Sequence, residues 1–359
     1  MFYFDNASTT KLDERVLDCY VNALKEFIIH PDNDLKLSNI RKEIKKEILK
    51  LLKINNAKII FTSGGTEANN LAILGFSKKF NQKKHFITSS YEHPSVLNSF
   101  KELERLGHKV TYINPNNEGK INVEDIIKEI NKDTVMVSIM AVNNELGVIN
   151  DIEKIIYEVK KINQNIIIHS DCVQAIGNID INLYNKIDLI SMSAHKIHGL
   201  KGSGLLLYKD NIKIDNILFG GHNEAGIRPG TQDLAKELAF LKALELYLNK
   251  NNNDNFLYLK NELKKLDNIE VNVEPDCKII NINVKSNYLG EVLKNKLKEN
   301  NIIVSTKSAC SSNSKEDSIV LKSLKIDEEK IKKSIRISIS KNTTKEEIDY
   351  LISILRDLK

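Results

Sequence analysis

Cysteine is scarce in this chain, and its placement excludes two common uses. The four cysteines, Cys19, Cys172, Cys277 and Cys310, stand far apart among 359 residues. None forms a CxxC pair or sits at zinc spacing from a histidine. A disulfide framework and a metal site are therefore not expected, and a reducing compartment is. No apolar run reaches membrane-spanning length. The opening MFYFDNASTT has the layout of neither a signal peptide nor an Arg-rich transit peptide. A soluble, cytoplasmic protein with no membrane partner is the expectation. Neither sign of charge is in large excess. The 53 basic and 48 acidic residues leave +5, spread along the chain, which gives no case for direct nucleic-acid binding. Internal repeats are absent as well.

What is present is alternation. Short apolar runs at 58–62, 85–88, 135–141, 166–169, 189–192 and 205–208 are, apart from one pair, separated by segments of helix length. Residues 11–29 and 39–54 add helical periodicity, with a polar, irregular stretch at 30–38 between them. The pattern predicts an α/β fold with a mostly parallel sheet covered on both faces. After about Asp233 the alternation stops. A helix over 234–248 leads into the polar NKNNNDN segment. The rest reads as an α+β unit, with strands near 279–284, 302–305 and 334–340 and helices over 289–300 and 345–358.

Ligands of open α/β sheets sit beyond the carboxyl ends of the strands. Here those ends carry SGGTEAN (63–69), SSYEHPS (89–95), VNNELG (142–147), HSDCVQ (169–174) and SAHK (193–196), and five polar endings together point to a shared site. Lys196 follows a buried strand in LISMSAHKIHGLKGSG. It is either a surface turn residue or an amine that forms a Schiff base with a carbonyl cofactor. Gly65 and Thr66 lie between a strand and a helix expected to begin near Glu67, as a cap or as a phosphate cradle. Asp171 ends a very apolar strand, where a carboxylate needs a partner. That partner is an ion pair, a helix terminus or a protonated pyridine nitrogen. His93 could stack on a ring or move protons, or simply bond within a loop. HKIH (195–198) lacks a third ligand for a metal. Arg336 in SIRISIS suits a substrate carboxylate or a surface salt bridge. Cys310, in the small and polar STKSACSSNS, suits a nucleophile that must travel, and Lys307 would favour its thiolate.

The order FDNASTT, FTSGGTEANNLAI, YEHPSV, VSIMAVNNELG, SDCVQAIG, SMSAHKIHG, GGHNEAGIRPGT, SACSS and SIRIS resembles the cysteine desulfurases, class V relatives of the aminotransferases that use pyridoxal phosphate (PLP). The resemblance runs from Tyr3 to about Thr343. It implies the PLP-dependent transferase fold of type I, with a seven-stranded large domain at 11–250. A smaller α+β domain would be built from 1–10 and 251–359 and carry the cysteine loop. It implies Lys196 as the Schiff-base lysine, Asp171 as the pyridine partner and His93 as the stacking residue. Gln174 and Asn143 would contact the cofactor's phenolic oxygen or the substrate. Gly65, Thr66, Ser193 and His195 would surround the phosphate, with Thr231 reaching in from a second subunit of a homodimer. Arg336 would hold the carboxylate of L-cysteine, and Cys310 would carry the sulfur to an acceptor protein, an iron–sulfur scaffold or a tRNA-thiolation enzyme. The chain departs from the family pattern over 30–38 and at Leu200, Ala225 and Lys307. The rival readings are a class V aminotransferase, a selenocysteine or cysteine lyase, and a catalytically idle scaffold dimer.

Overall fold

The structure, a computed structural model, describes residues 1–31, 34–249, 255–306 and 317–358. Strand β1 (Phe2–Tyr3) starts the chain, and two helices follow, Glu14–Glu26 and Leu35–Leu51. The second begins inside the stretch expected to be irregular. Asp34 caps it, its side chain accepting from Leu37 N at 3.0 Å and satisfying an otherwise orphaned amide.

The large sheet comprises β2 (Ala57–Thr62), β3 (His85–Ser89), β4 (Lys109–Ile113), β5 (Thr134–Ser138), β6 (Ile167–Asp171), β7 (Leu189–Ser193) and β8 (Gly204–Lys209). Their order is β2-β8-β7-β6-β5-β3-β4, and β8 alone runs antiparallel to its neighbours. The seven-stranded, mostly parallel α/β sheet is as expected. β4 had not been read from the sequence. It is an edge strand whose residues are mostly half-buried, so KVTYI never becomes a continuous apolar run. β5, β6 and β7 are instead covered on both faces by apolar clusters, and each fully buried Ile or Leu contributes roughly 1.5–3 kcal/mol. β3 pairs with β4 on one side and β5 on the other, so chain order reverses there and a crevice opens beyond the strand ends.

A second core forms around β9 (Ile269–Val271), β10 (Ile279–Val284) and β12 (Ser334–Ser338), which make an antiparallel sheet ordered β12-β10-β9. β1 pairs with β11 (Ile302–Ile303), and Phe4 is buried among Ile280, Ile337 and Leu355. The first residues therefore pack with the last third of the chain. The segment after Phe4 then enters the crevice of the large sheet. Among the described residues, no helix is long and apolar enough to cross a membrane.

One close approach fixes the crevice wall. A Cβ built on Gly204 would lie 2.6 Å from Gly64 Cα, and one on Gly65 would lie 2.7 Å from Val173 Cγ2. Both are distances that side chains do not tolerate. Gly204→Ala should force β2 and β8 apart and destabilise the apo-protein by about 1–3 kcal/mol, read as a lowered urea midpoint.

Candidate active site

The crevice holds a cavity of about 150 Å³ lined by strand-end residues and by the entering N-terminal segment. Gly65, Thr66, His93, Asp171, Gln174, Ser193, His195, Lys196 and Arg336 all line it. Each reaches it by the route its sequence context suggests. Asp171 is the last residue of β6, Ser193 the last of β7, and Lys196 ends the single turn after β7. Gly65 and Thr66 open the helix Gly65–Asn70, which widens into a π-type turn over Leu71–Gly75, an irregularity frequent at functional sites.

Asp171 is 6% exposed. Its oxygens accept from Asn69 Nδ2 at 2.8 Å and from Val173 N at 2.9 Å. Asn69 Nδ2 also donates to Ser95 Oγ at 2.9 Å, and Ser95 Oγ lies 2.7 Å from His93 Nδ1. A chain of hydrogen bonds thus links the buried carboxylate to the His93 ring. Ser95 N also donates to His93 Nδ1, which makes that nitrogen an acceptor and places the ring proton on Nε2. Burial holds the His93 pKa below the ordinary value, as does the Lys196 charge, while Asp171 opposes them. His195 is pushed down to about 4 by burial and by Lys196.

Two neighbouring titratable groups are kept neutral. Glu92 accepts from Ser89 Oγ at 2.7 Å and from Met140 N at 2.8 Å. Burial pushes it up to about 8, and the Asp171 charge adds to the shift. His169, fully buried between Ser138 and Ser191, is pushed down to about 3 by burial. At neutral pH neither one competes with Asp171 as an anion nor neutralises it.

Lys196 Nζ donates to the carbonyls of Ala7 and, at 2.7 Å, Ser8. Gln174 Nε2 donates to the same Ala7 carbonyl at 2.8 Å. Arg336 is 1% exposed and donates to Asn144 O at 2.8 Å, Asp5 Oδ1 at 2.8 Å and Ser8 Oγ at 2.6 Å. Among the described residues, its Nε is buried without a hydrogen-bond partner. A cation is thus fixed at one end of the cavity, with a donor to spare.

Three expected positions lie elsewhere. Asn143 does not face the cavity. Its Oδ1 accepts from Glu145 N at 2.9 Å and Leu146 N at 3.0 Å, so the side chain shapes the turn after β5. Asn144 lines the cavity in its place. Thr231 is exposed and lines a separate pocket with Ser63, Ser203 and Gln232. Cys310 lies outside the described residues. Of the other cysteines, Cys172 and Cys277 are buried, and burial pushes both thiols up, Cys277 to about 12. Burial also raises Cys19. None of these three lines the cavity.

The model of the class V aminotransferases matches residues 2–351. The chain is 40% identical to the cysteine desulfurase IscS of Buchnera aphidicola subsp. Baizongia pistaciae, over 98% of this chain and 91% of that one. The chain belongs to the class V aminotransferase family, among its cysteine desulfurases. Its fold agrees with solved members. It matches a NifS-like protein with a TM-score of 0.90 at 30% identity, over 99% of this chain and 98% of that one. It matches SspA in complex with cysteine with a TM-score of 0.83 at 28% identity, over 96% and 100%. Cysteine desulfurases are generally PLP-dependent, and the donor set here fits that cofactor. A buried carboxylate, an imidazole, an amine and a hydroxyl-lined glycine turn converge on one cavity.

Sequence reasoning missed Asn69, Ser95, Asn144 and the carbonyls of Ala7 and Ser8. The first three lie inside quoted motifs, so their motifs carried the signal. Backbone carbonyls have no sequence signal.

Because native His169 stays neutral to about pH 3 while an unfolded histidine protonates near 6.5, the unfolded chain binds the extra proton as pH falls between these values. This group therefore removes stability as pH drops below 6.5. The fall in urea midpoint from pH 7 to pH 5 should be smaller in His169→Gln than in the wild type.

Proposed function

We propose that the chain is a cysteine desulfurase that converts L-cysteine to L-alanine and collects the sulfur as a persulfide on Cys310. The observation that carries this reading is the meeting of Lys196, Asp171 and Arg336 in one cavity of a chain whose relatives are cysteine desulfurases. A related structure in complex with cysteine supports the substrate.

PLP, when bound, supplies an electron sink for charge developing on the substrate's Cα. Asp171 would keep the ring nitrogen protonated, and His93 would lie against the ring. Thr66, Ser193 and His195 would hold the phosphate beside Gly65, where a side chain would clash with Val173. Gln174 and Asn144 remain as polar cavity-lining groups for the phenolic oxygen or the substrate.

Arg336 would bind the carboxylate of cysteine, sharing its guanidinium with Asp5 and Ser8. Lys196 would take the Cα proton, an amine being a suitable base once its charge is relieved. The Cys310 thiolate would then attack the substrate sulfur. The S–S bond forms as the C–S bond breaks, the C–S electron pair stays on the β carbon, and a proton there, with return of the Cα proton from Lys196, completes alanine. Cysteine and enzyme thiol thus become alanine and enzyme persulfide, with no external oxidant. The persulfide would pass to an acceptor protein, an iron–sulfur scaffold or a tRNA-thiolation enzyme. Thr231, exposed and outside its own chain's cavity, supports a homodimer in which it serves the partner's phosphate end.

Cys310→Ser should bind PLP as the wild type does and lose cysteine-dependent sulfide release, with no persulfide trapped by alkylation and mass spectrometry after one turnover. Undiminished sulfide release would favour a lyase that expels sulfur without a protein nucleophile.

A further inference from the structure

The segment 220–231 contains two consecutive residues, Glu224 and Ala225, in the left-handed region, with φ of 49° and 55°. A residue with a Cβ adopts that conformation only where its surroundings impose it. Here they do so through charge. The Glu224 carboxylate is 7% exposed and accepts from Lys45 Nζ at 2.6 Å and from Arg41 Nη2. Lys45 also donates to Ile59 O at 2.9 Å, and Arg41 is bound at 2.8 and 2.9 Å to the buried Glu237. The turn is therefore fastened both to the helix Leu35–Leu51 and to β2. Four residues on, Arg228 Nε donates to Glu67 Oε1 at 2.8 Å, and Glu67 follows Thr66 in the helix that borders the cavity. Beyond these two fastenings the chain carries Thr231 on an exposed surface.

We propose that Glu224 is a positioning residue for cofactor binding: clamped by Arg41 and Lys45, its carboxylate holds the strap 220–231 in the left-handed turn that presents Thr231 to the phosphate end of a second copy's cavity. The inference rests on the shared-site homodimer proposed above. Glu224 touches neither substrate nor cofactor, so its effect is on how firmly the cofactor is held. The turn's conformational cost is offset by the ion pairs, and a glycine at 225 would lower that cost without them.

The test is titration of PLP-stripped full-length protein with PLP, followed by absorbance. Thr231→Ala should weaken PLP binding roughly tenfold or more, the loss of one hydrogen bond to a charged group. Glu224→Gln should weaken it by a similar factor, with kcat and the KM for cysteine unchanged once PLP is saturating. The double variant should bind no more weakly than the weaker single variant, because both act through one contact. Ala225→Gly should restore most of the affinity in the Glu224→Gln background. Lys45→Met, which leaves the buried Arg41–Glu237 pair intact, should weaken binding by a smaller factor and covers the case in which Glu224→Gln does not fold. Wild-type affinity in Thr231→Ala would overturn both the shared site and this inference. Weakened binding in Thr231→Ala with wild-type affinity in Glu224→Gln or Lys45→Met would overturn the positioning role alone. A Glu224→Gln loss that adds in full to that of Thr231→Ala would do the same.

Discussion

A carboxylate buried at the end of a central strand constrains everything around it. Asp171 is held by two neutral donors, Asn69 Nδ2 and Val173 N, and a buried charge without a counter-charge is costly. Titratable groups packed around it are held neutral. Glu92 is kept protonated by burial, and His169 and His195 are kept neutral. Under the proposed reading a protonated pyridine nitrogen would be its partner. The same hydrogen-bond chain, through Asn69 and Ser95, sets the tautomer and orientation of His93, so the floor and wall of the cavity are fixed together.

The second organising contact is the N-terminal segment. Asp5 to Thr10 leaves the smaller core at Phe4 and lines the cavity with carbonyls. Ala7 O receives both Lys196 and Gln174, while Asp5 and Ser8 hold Arg336, which comes from β12 of the smaller sheet. Lysine and arginine, from different sheets, are therefore positioned by one short strip of backbone. Thr10 Oγ1 completes the link by donating to His195 O and accepting from His198 N. Lys196 and Arg336 are thereby kept in register across the junction of the two cores.

Much of this was legible in the sequence, for a physical reason. A polar residue at the end of an apolar β run cannot be buried for packing alone, so Asp171 and Ser193, with Lys196 one turn further on, stood out as candidates. The helix Leu234–Leu248 and the strand Ile279–Val284 were read to the residue, because their apolar patterns have sharp polar boundaries. Edge strand β4 was missed because half-buried residues carry no continuous pattern. The helix start at Leu35 was missed because a single Asp34 cap set it inside a polar stretch. Asn143 and Asn144 are indistinguishable by composition, and only the turn after β5 decides which side chain enters the cavity. The ion-pair clamp on Glu224 joins residues more than 160 positions apart, a relation no local reading could supply.

The central claim is that Lys196, not another of the chain's many lysines, is the reacting amine opposite Asp171. Borohydride reduction of the PLP-loaded protein, followed by peptide mapping, tests it most directly. The account predicts a single phosphopyridoxyl label on the peptide containing SAHK at Lys196. A label on any other lysine, or none under saturating PLP, would contradict it.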